Sequence, residues 1–199
     1  MFQKHVLHKL IQSALEEDVG AGDITTSSVL TGEETGVARA VAKSDIVVAG
    51  MDVFKEVFLF VVKGMRFADC CEDGRLVMRG ESLAEVSGSL GKILTAERVA
   101  LNFFQRMCGI ATLTKQYVDA VRGTRAKILD TRKTVPGLRC LDKYSVKVGG
   151  GCNHRFGLYD GVLIKDNNIT AAGGISRALE RVRRRILHTH KVDVEVKNL

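Results

Sequence analysis

The 199-residue sequence predicts an α+β first half and an α/β second half. Up to about residue 90, short β-like segments bounded by turn residues lie between amphipathic helices. A long, strongly apolar helical stretch follows, and after Gly123 β segments alternate with helical stretches. Because this alternation is typical of parallel strands joined by helical crossovers, we expect a parallel sheet or barrel in the second half.

The first half begins with an amphipathic helix over residues 5–17, where apolar side chains recur with helical periodicity before Gly20 and Gly22 end the helix. Asp52 is predicted to cap a second helix over residues 52–62. The β-like segments before and after this second helix predict an antiparallel sheet. The predicted strands of this half are residues 37–43, 46–48, 65–68, 76–79 and 83–86.

A long helical stretch links the two halves. Thr95 is predicted to be the N-cap of this stretch, residues 96–123, and Gly109 is predicted to break it into two helices. In the second half, residues 171–187 predict a helix with one apolar face and an arginine-rich opposite face. The predicted β segments of the second half are residues 126–131, 161–167 and 191–196.

The composition is that of an ordinary globular protein, with 45% apolar and 27% charged residues. This content excludes low-complexity disorder, and no apolar run approaches the ~20 residues of a membrane-spanning helix. The N-terminal residues lack the apolar core and cleavage site of a signal peptide, so a cytoplasmic location is predicted. The five cysteines include no Cys-x-x-Cys pair, which favours free thiols over disulfides or a zinc site.

The charge is unevenly distributed along the chain. Residues 1–110 contain 12 basic against 15 acidic side chains, whereas residues 111–199 contain 18 against 8. This excess of positive charge indicates an anionic partner, either a nucleic acid or a small phosphorylated or carboxylated ligand. The basic run at residues 181–185 is interpreted as a solvated helix face, because no aromatic residues interleave with its charges.

Charged residues follow the predicted β segments of the second half. Ligands of α/β proteins bind at the carboxyl ends of the strands, where the βα loops converge. The three glycines at residues 149–151 are expected to allow a close approach of the backbone to a ligand. In the last segment, Asp193 and Glu195 alternate with valines, so both carboxylates are expected to face the interior. The charged residues expected to converge are Arg132, Lys133, His154, Arg155, Lys165 and Glu195.

Such a cluster predicts a ligand that contains both carboxylates and phosphates. Burying these charges together without a counter-ion would cost several kcal/mol for each group, so a site of this kind requires an anionic ligand. Guanidinium groups match carboxylates with two parallel hydrogen bonds, and an ammonium group is a point charge for phosphate. A carboxylate in the same place would hold sugar hydroxyls or a magnesium ion. No nucleophilic Ser/His/Asp or Cys/His set is apparent in the sequence.

At these residues the sequence resembles the quinolinate phosphoribosyltransferase family, also called the nicotinate-nucleotide pyrophosphorylases (carboxylating). The long segment ILDTRKTVPGLRCLDKYSVKVGGGCNHRFGLYDGVLIKDNNI is too specific for chance agreement. The matching segments are collinear and span almost the whole chain. They are residues 16–26, 94–114, 128–169 and 192–199.

The resemblance implies an N-terminal α/β sandwich with its linking helix over residues 1–113, and the first part of an incomplete TIM-like α/β barrel over residues 114–199. Family members continue beyond the strand that carries Glu195. We therefore expect the barrel to be truncated at Leu199, and this fragment to be poorly active and prone to associate. The family reaction joins quinolinate to phosphoribosyl pyrophosphate and releases pyrophosphate and carbon dioxide, giving nicotinate mononucleotide.

The resemblance also assigns roles to individual residues. Arg132, His154 and Arg155 would hold the two quinolinate carboxylates, and Arg98 would reach in from the neighbouring subunit of a homodimer. The implied cofactor is Mg²⁺, brought mainly by the phosphoribosyl donor. Glu195 would hold ribose hydroxyls and, together with the magnesium ion, organise the donor. Lys133 and Lys165 would bind the donor and neutralise the departing pyrophosphate. The implied substrate-binding residues are Arg98, Thr131, Arg132, Lys133, His154, Arg155, Lys165 and Glu195, of which Lys133, Lys165 and Glu195 are also the implied catalytic residues.

Two residues depart from the usual family pattern: Asn168 stands where the family usually has histidine, and Ser145 replaces a common alanine. Neither is an implied ligand. The alternative within the same fold is a sister protein associated with molybdate transport, which would depart at the dicarboxylate-binding residues. The alternative from another class is a basic nucleic-acid-binding module, whose binding would fall steeply with salt. The family assignment itself implies neither a nucleic acid nor a membrane as a partner.

Overall fold

The computed structural model describes residues 3–196 and residue 198. The chain divides into two compact units, with the boundary between Asn153 and His154. The strands of the described residues form one three-stranded and two two-stranded open sheets, and none of these sheets is closed. In this part of the chain no helix combines the length and the apolar character that crossing a membrane requires.

From residue 3 onward, the first unit contains ten helices and strands, which build an antiparallel sheet with helices around it. The order in this sheet is β1-β5-β3, and β2 pairs separately with β4. In order, the elements are α1 (Lys4–Val19), α2 (Ile24–Val29), β1 (Thr35–Val41), β2 (Ile46–Val47), α3 (Met51–Val61), β3 (Arg66–Ala68), β4 (Leu76–Val77), β5 (Ser82–Ser89), α4 (Leu90–Ala120) and α5 (Arg139–Val148).

The core of the first unit lies where α3 packs on α4. The apolar residues of α3 fall on one face of the helix, and the Phe54 ring lies 5.3 Å from the ring of Phe104 on α4. Phe58, 2% exposed, packs its ring edge-on against both Phe54 and Phe67. Each fully buried side chain of this size stabilises the fold by roughly 1.5–3 kcal/mol.

The predicted antiparallel sheet and first helix are confirmed, and the predicted strands are present with bounds that differ by a few residues. The prediction that Asp52 caps α3 is wrong. The N-cap is Gly50, at a φ of 91°, and the Asp73 carboxylate accepts hydrogen bonds from the backbone N–H groups of Gly50 and Met51 at 2.8 and 3.0 Å. A carboxylate from a distant loop thus supplies the cap, which local sequence does not reveal.

The structure also corrects the expected interruption of α4. This helix runs without a break from Leu90 to Ala120, so Thr95 is not its N-cap and Gly109 does not divide it. The N-cap is Ser89, and the Thr95 hydroxyl donates to the Gly91 carbonyl oxygen within the helix at 2.9 Å. A helix-interior glycine costs only about 1 kcal/mol, and residues buried on both sides of Gly109 offset that cost.

Two features of the first unit differ from the prediction. Helix α2 was not predicted. The expected strand over residues 126–131 is reduced to a single parallel bridge between Leu129 and Cys152. Around this bridge, the Cys152 N–H donates to the Ile128 carbonyl oxygen at 2.8 Å, and the Asp130 N–H donates to the Cys152 carbonyl oxygen at 3.1 Å. The two segments are therefore paired over one position, and residues 131–138 form no strand.

The described residues of the second unit form two parallel strands and two short helices: β6 (Val162–Ile164), α6 (Asp166–Ala172), α7 (Ile175–Arg183) and β7 (Val192–Val194). The predicted parallel pairing is confirmed, with Val162 opposite Val192. The single helix predicted over residues 171–187 is wrong. Gly173 and Gly174, at φ values of 80° and 125°, separate α6 from α7 because this backbone conformation is unfavourable for other residues.

The apolar face predicted for this helix is present in part. Leu179, Val182 and Ile186 are half-buried, whereas Ile175 is 41% exposed. Ala178 is the buried residue of α7.

Candidate active site

In the first unit, the predicted site residues Thr131, Arg132 and Lys133 lie in a loop directly after the Leu129–Cys152 bridge. All three are exposed. The Lys133 N–H donates to the Thr131 hydroxyl at 3.0 Å, which closes a tight local turn. The Arg139 guanidinium donates to the Arg132 carbonyl oxygen at 3.4 Å, so the backbone of this loop is held while its side chains face solvent.

A buried ion pair anchors the start of this loop. The Lys143 ammonium pairs with the Asp130 carboxylate, and the two side chains are only 4% and 6% exposed. The Asn153 amide donates to the second carboxylate oxygen of Asp130 at 2.6 Å and to the Lys143 backbone carbonyl oxygen at 2.8 Å. None of these three residues is among the site residues predicted from the sequence.

The neighbours of Lys143 on α5 are held as firmly. Arg106 of α4 donates two hydrogen bonds to the Asp142 carboxylate, both at 2.8 Å, and this bonding raises the pKa of Arg106. The Tyr144 hydroxyl donates to Asp73 at 2.7 Å. Burial raises the pKa of Tyr144 above its ordinary range, and the hydrogen bond to Asp73 raises it further. The phenol therefore stays protonated at neutral pH.

At Gly149 and Gly151 the close approach of the backbone is to the protein itself, and the approach of a ligand to residues 149–151 stays a prediction. A Cβ on Gly149 would lie 2.7 Å from the Thr114 Cβ, and a Cβ on Gly151 would lie 2.7 Å from the Val146 Cγ1. At both positions the space is filled by the protein itself. These two glycines therefore allow the end of α5 to pack closely on α4.

Arg98 lies on α4 with its side chain exposed. Three residues before Arg98, the Thr95 hydroxyl lies 3.3 Å from the Asp23 carboxylate, and Asp23 caps α2 by accepting a hydrogen bond from the Thr26 N–H at 2.9 Å. The hydrogen bond from the Thr26 hydroxyl, together with this capping bond from the Thr26 N–H, lowers the pKa of Asp23. The predicted role of Arg98 in a neighbouring subunit stays a prediction.

In the second unit, the parallel strands bring Lys165 and Glu195 together. Lys165 follows β6 and Glu195 follows β7, and their ammonium and carboxylate groups lie 2.9 Å apart. The side chains are 48% and 58% exposed, so this ion pair is accessible to a ligand. The Lys165 N–H donates to the Asn168 side chain at 3.0 Å, so the residue that departs from the family pattern closes the first turn of α6.

His154 and Arg155 lie at the beginning of the second unit. The Arg155 N–H donates to the His154 Nδ1 at 2.8 Å, which leaves the proton of a neutral imidazole on Nε2. That Nε2 lies 3.6 Å from the Asp193 carboxylate, which also pairs with Lys191 at 3.1 Å.

The Arg155 guanidinium donates through Nη1 to the Gly161 carbonyl oxygen at 3.0 Å. Its Nε is buried and has no hydrogen-bond partner among the described residues. Burying a donor without a partner costs about 1–3 kcal/mol, so this atom marks a place where an acceptor would be favourable.

The donors of the described residues do not form a metal site by themselves. Among these residues, no three His, Cys, Asp or Glu side chains lie together as metal ligands would. Glu195 offers one exposed carboxylate, which fits a magnesium ion that is coordinated mainly by a phosphorylated ligand.

Comparison with family models finds two adjoining matches. The model for the quinolinate phosphoribosyl transferase N-terminal domain matches residues 23–108, and the model for its C-terminal domain matches residues 110–199. The sequence is 44% identical over 190 residues to a probable nicotinate-nucleotide pyrophosphorylase [carboxylating] of Bacillus subtilis, and 41% identical over 194 residues to one of Synechocystis. The alignments cover 96% and 98% of this chain but only 65% of each relative.

Solved structures agree with these matches. The crystal structure of NadC from Streptococcus pyogenes superposes on this chain with a TM-score of 0.95 at 38% identity, covering 100% of this chain and 70% of that one. The nicotinate-nucleotide pyrophosphorylase of Francisella tularensis gives a TM-score of 0.93 at 36% identity, with the same coverage.

Proposed function

The chain belongs to the quinolinate phosphoribosyltransferase family, and from this premise we propose that it transfers the phosphoribosyl group of phosphoribosyl pyrophosphate to quinolinate. The products are nicotinate mononucleotide, pyrophosphate and carbon dioxide, a step of NAD biosynthesis. The observation that carries the proposal is the match of both family domains together with a TM-score of 0.95 over the whole chain.

Recognition of the quinolinate carboxylates is assigned to Arg132, His154 and Arg155, with Arg98 of a neighbouring subunit. Two features support this assignment. The Arg132 side chain is exposed while its carbonyl oxygen is fixed by Arg139, and the buried Nε of Arg155 is a donor with no partner among the described residues. Guanidinium groups suit a dicarboxylate because each can donate two parallel hydrogen bonds to one carboxylate.

Binding of the phosphoribosyl donor is assigned to Lys133, Lys165 and Glu195. The pairing of Lys165 with Glu195 supports this assignment, because it places a cation for phosphate beside an acceptor for ribose hydroxyls at the ends of adjacent parallel strands. Glu195 would also contribute a carboxylate oxygen to Mg²⁺ carried by the donor, an ion that shields the negative charge of the pyrophosphate when bound.

The assigned residues act by charge and orientation. As the pyrophosphate leaves the anomeric carbon, negative charge grows on its oxygens, and the ammonium groups of Lys133 and Lys165 stabilise that charge. Holding both carboxylates of quinolinate directs the ring nitrogen to the anomeric carbon. The nitrogen becomes cationic when the new bond forms, and its charge stabilises the electron pair that stays on the adjacent ring carbon when the bond to carbon dioxide breaks. A proton from solvent then bonds to that carbon.

We also propose the finer features implied by the family: a C-terminal α/β barrel, a homodimer and a cytoplasmic location. The parallel β6–β7 pair and the parallel Leu129–Cys152 bridge support the barrel, because barrel strands are parallel. All five cysteines are free, which suits a reducing compartment. The dimer would be tested by light scattering of the purified protein.

The experiment that tests the function uses the protein expressed from its own gene, with Mg²⁺ and phosphoribosyl pyrophosphate. Quinolinate or nicotinate is supplied as the acceptor, and nicotinate mononucleotide is measured. We expect product from quinolinate and none from nicotinate. Absence of product from both acceptors would overturn the proposal and favour the molybdate-associated sister protein or a nucleic-acid-binding role.

The assignment of Arg132 is tested by Arg132→Ala, with the exposed Arg79→Ala as the matched control. Loss of a guanidinium–carboxylate pair worth about 3 kcal/mol is expected to weaken quinolinate binding roughly 100-fold. Titration calorimetry measures that affinity, and circular dichroism verifies the fold. Unchanged affinity in Arg132→Ala would refute the assigned role.

A further inference from the structure

Three consecutive residues of α5, Asp142, Lys143 and Tyr144, contact three different parts of the first unit. Successive helical residues are about 100° apart, so three neighbours point in different directions. Asp142 is bonded to Arg106 on α4, and Tyr144 is bonded to Asp73 beside the beginning of α3. These outer contacts fix the rotation and height of α5 against the core.

The middle residue, Lys143, connects this fixed helix to the loop that carries Thr131, Arg132 and Lys133. Its ammonium group pairs with Asp130, and Asn153 bridges the Asp130 carboxylate and the Lys143 carbonyl oxygen. Asp130 immediately precedes Thr131–Lys133, and its own N–H donates to the Cys152 carbonyl oxygen. Both the backbone and the side chain of Asp130 are therefore held.

The chemistry of this contact indicates a role in geometry rather than in stability. A buried ion pair adds little net stability, because desolvation of the two charges offsets their attraction, and apolar residues of similar volume often replace it at no cost. An ion pair with directed hydrogen bonds does, however, define one position for the carboxylate, whereas an apolar contact tolerates several.

We propose that Asp130, Lys143 and Asn153 are positioning residues, which fix the backbone from which Arg132 and Lys133 extend toward the substrates. This inference rests on the proposed function for its catalytic consequence only. None of the three residues is assigned a contact with a substrate. They act through the loop, and a displacement of about 1 Å in such a loop is enough to lower turnover about 100-fold.

The test replaces the ion pair by apolar residues in the double variant Asp130→Leu/Lys143→Met of the protein expressed from its own gene. The matched control is Lys147→Met, an exposed lysine one turn later on α5. Hydrogen exchange is measured at the Asp130 and Lys133 amides, which are bonded in the native loop. We expect exchange at both amides to rise at least about tenfold, with no change in α3.

Steady-state kinetics of the same variant give the second measurement. We expect the KM for quinolinate to rise about tenfold and kcat to fall, while the melting temperature stays close to that of the wild type. Lys147→Met should match the wild type in every measurement. Wild-type exchange and kinetics in the folded double variant would overturn the inference.

Asn153→Ala provides a second variant should the double variant not fold. Asn153 is exposed, so its replacement leaves the core unchanged but removes both bridging hydrogen bonds. We expect the same changes at a smaller size, and unchanged exchange at Asp130 would contradict the proposal. If the wild type makes no nicotinate mononucleotide, the proposed function fails, and the exchange measurements still decide whether these residues hold the loop.

Discussion

The two units of the molecule differ in what their residues contribute. The first unit has a continuous core that extends from Leu7 of α1 to Leu141 of α5. In the described part of the second unit, the buried apolar residues are Ile164 and Ala178. The second unit instead exposes charged residues at its strand ends. Buried apolar packing is therefore concentrated in the first unit, and the described residues of the second unit contribute little of it.

Among the variants that test this difference in packing, Phe58→Ala is expected to lower the free energy of unfolding most. Phe58 is 2% exposed and packs against two other aromatic rings, so its removal leaves a cavity in the main core. The free energy of unfolding should fall by about 3–5 kcal/mol. Urea denaturation followed by circular dichroism measures this change.

The counterpart in the second unit is Ile175→Ala. Ile175 is 41% exposed on α7, so it has less buried surface to lose, and the expected change is below about 1 kcal/mol. Equal losses in the two variants would show that the units do not differ in packing as described.

The next effect concerns the packing of α5 on α4, through Gly149→Ala. The backbone at Gly149 has a φ of −71°, which alanine adopts readily, so the cost is purely steric. The new Cβ would lie 2.7 Å from the Thr114 Cβ. We expect a loss of about 1–3 kcal/mol in the free energy of unfolding.

Gly109→Ala is the matched control on α4. No atom lies within 4 Å of its added Cβ, and the position is inside a helix, so alanine should stabilise the protein by about 0.5–1 kcal/mol. Changes of opposite sign in the two alanine variants are the expected outcome. A neutral Gly149→Ala would mean that the contact with Thr114 relaxes without cost.

Much of the fold could be predicted because it depends on local patterns. Helix α1 and the strands follow from the periodicity of apolar residues and from turn residues. The errors occur where a distant group decides the local structure. Asp73 caps α3 from 22 residues beyond Met51, and packing on both sides carries α4 through Gly109.

The candidate site, like the fold, contains residues that could be predicted from local sequence and residues that could not. Exposed charges at strand ends, such as Lys165 and Glu195, could be found from sequence because the position of a strand end is local information. The residues that hold the site were missed. Lys143 resembles a surface lysine in sequence, and only the tertiary structure shows it buried on Asp130. The consecutive charges of α5 were the available sign, since an amphipathic helix cannot expose all of them.

A smaller effect is expected from a surface carboxylate of the first unit, Glu34. Its side chain accepts hydrogen bonds from the Thr31 N–H and hydroxyl and from the Gly32 N–H. Led by the backbone bond from Thr31, these lower the pKa of Glu34 from 4.5 to about 2. The lowered pKa stabilises the folded state above about pH 4.5, and this contribution is lost as the pH falls to about 2.

Melting temperatures of the wild type and Glu34→Gln across this pH range measure the effect. The variant should be the less stable of the two above pH 4.5, and the difference should vanish toward pH 2. A difference that stays constant with pH would contradict the lowered pKa. Because Glu34 lies at the surface and is only partly buried, we expect a shift much smaller than that of Phe58→Ala.

The smallest effect on stability, and the most informative about function, is expected from Lys165→Ala. The Lys165–Glu195 pair is exposed to solvent on both sides, so its loss should change the free energy of unfolding by less than about 1 kcal/mol. If Lys165 binds the phosphoribosyl donor, the KM for phosphoribosyl pyrophosphate should nevertheless rise about tenfold or more. Arg184→Ala is the control, because it removes another exposed ion pair of the same unit, at 2.6 Å from Glu180.

The Lys165–Glu195 and Arg184–Glu180 ion pairs are alike in exposure and differ in where they lie. Both are exposed pairs in the second unit, and only the first follows the ends of the parallel strands. Equal, small changes in melting temperature with a changed donor KM in Lys165→Ala alone would show that this pair is retained for ligand binding. An unaltered dependence on phosphoribosyl pyrophosphate would remove Lys165 from the donor site and leave its pair with Glu195 a surface ion pair like that of Arg184 with Glu180.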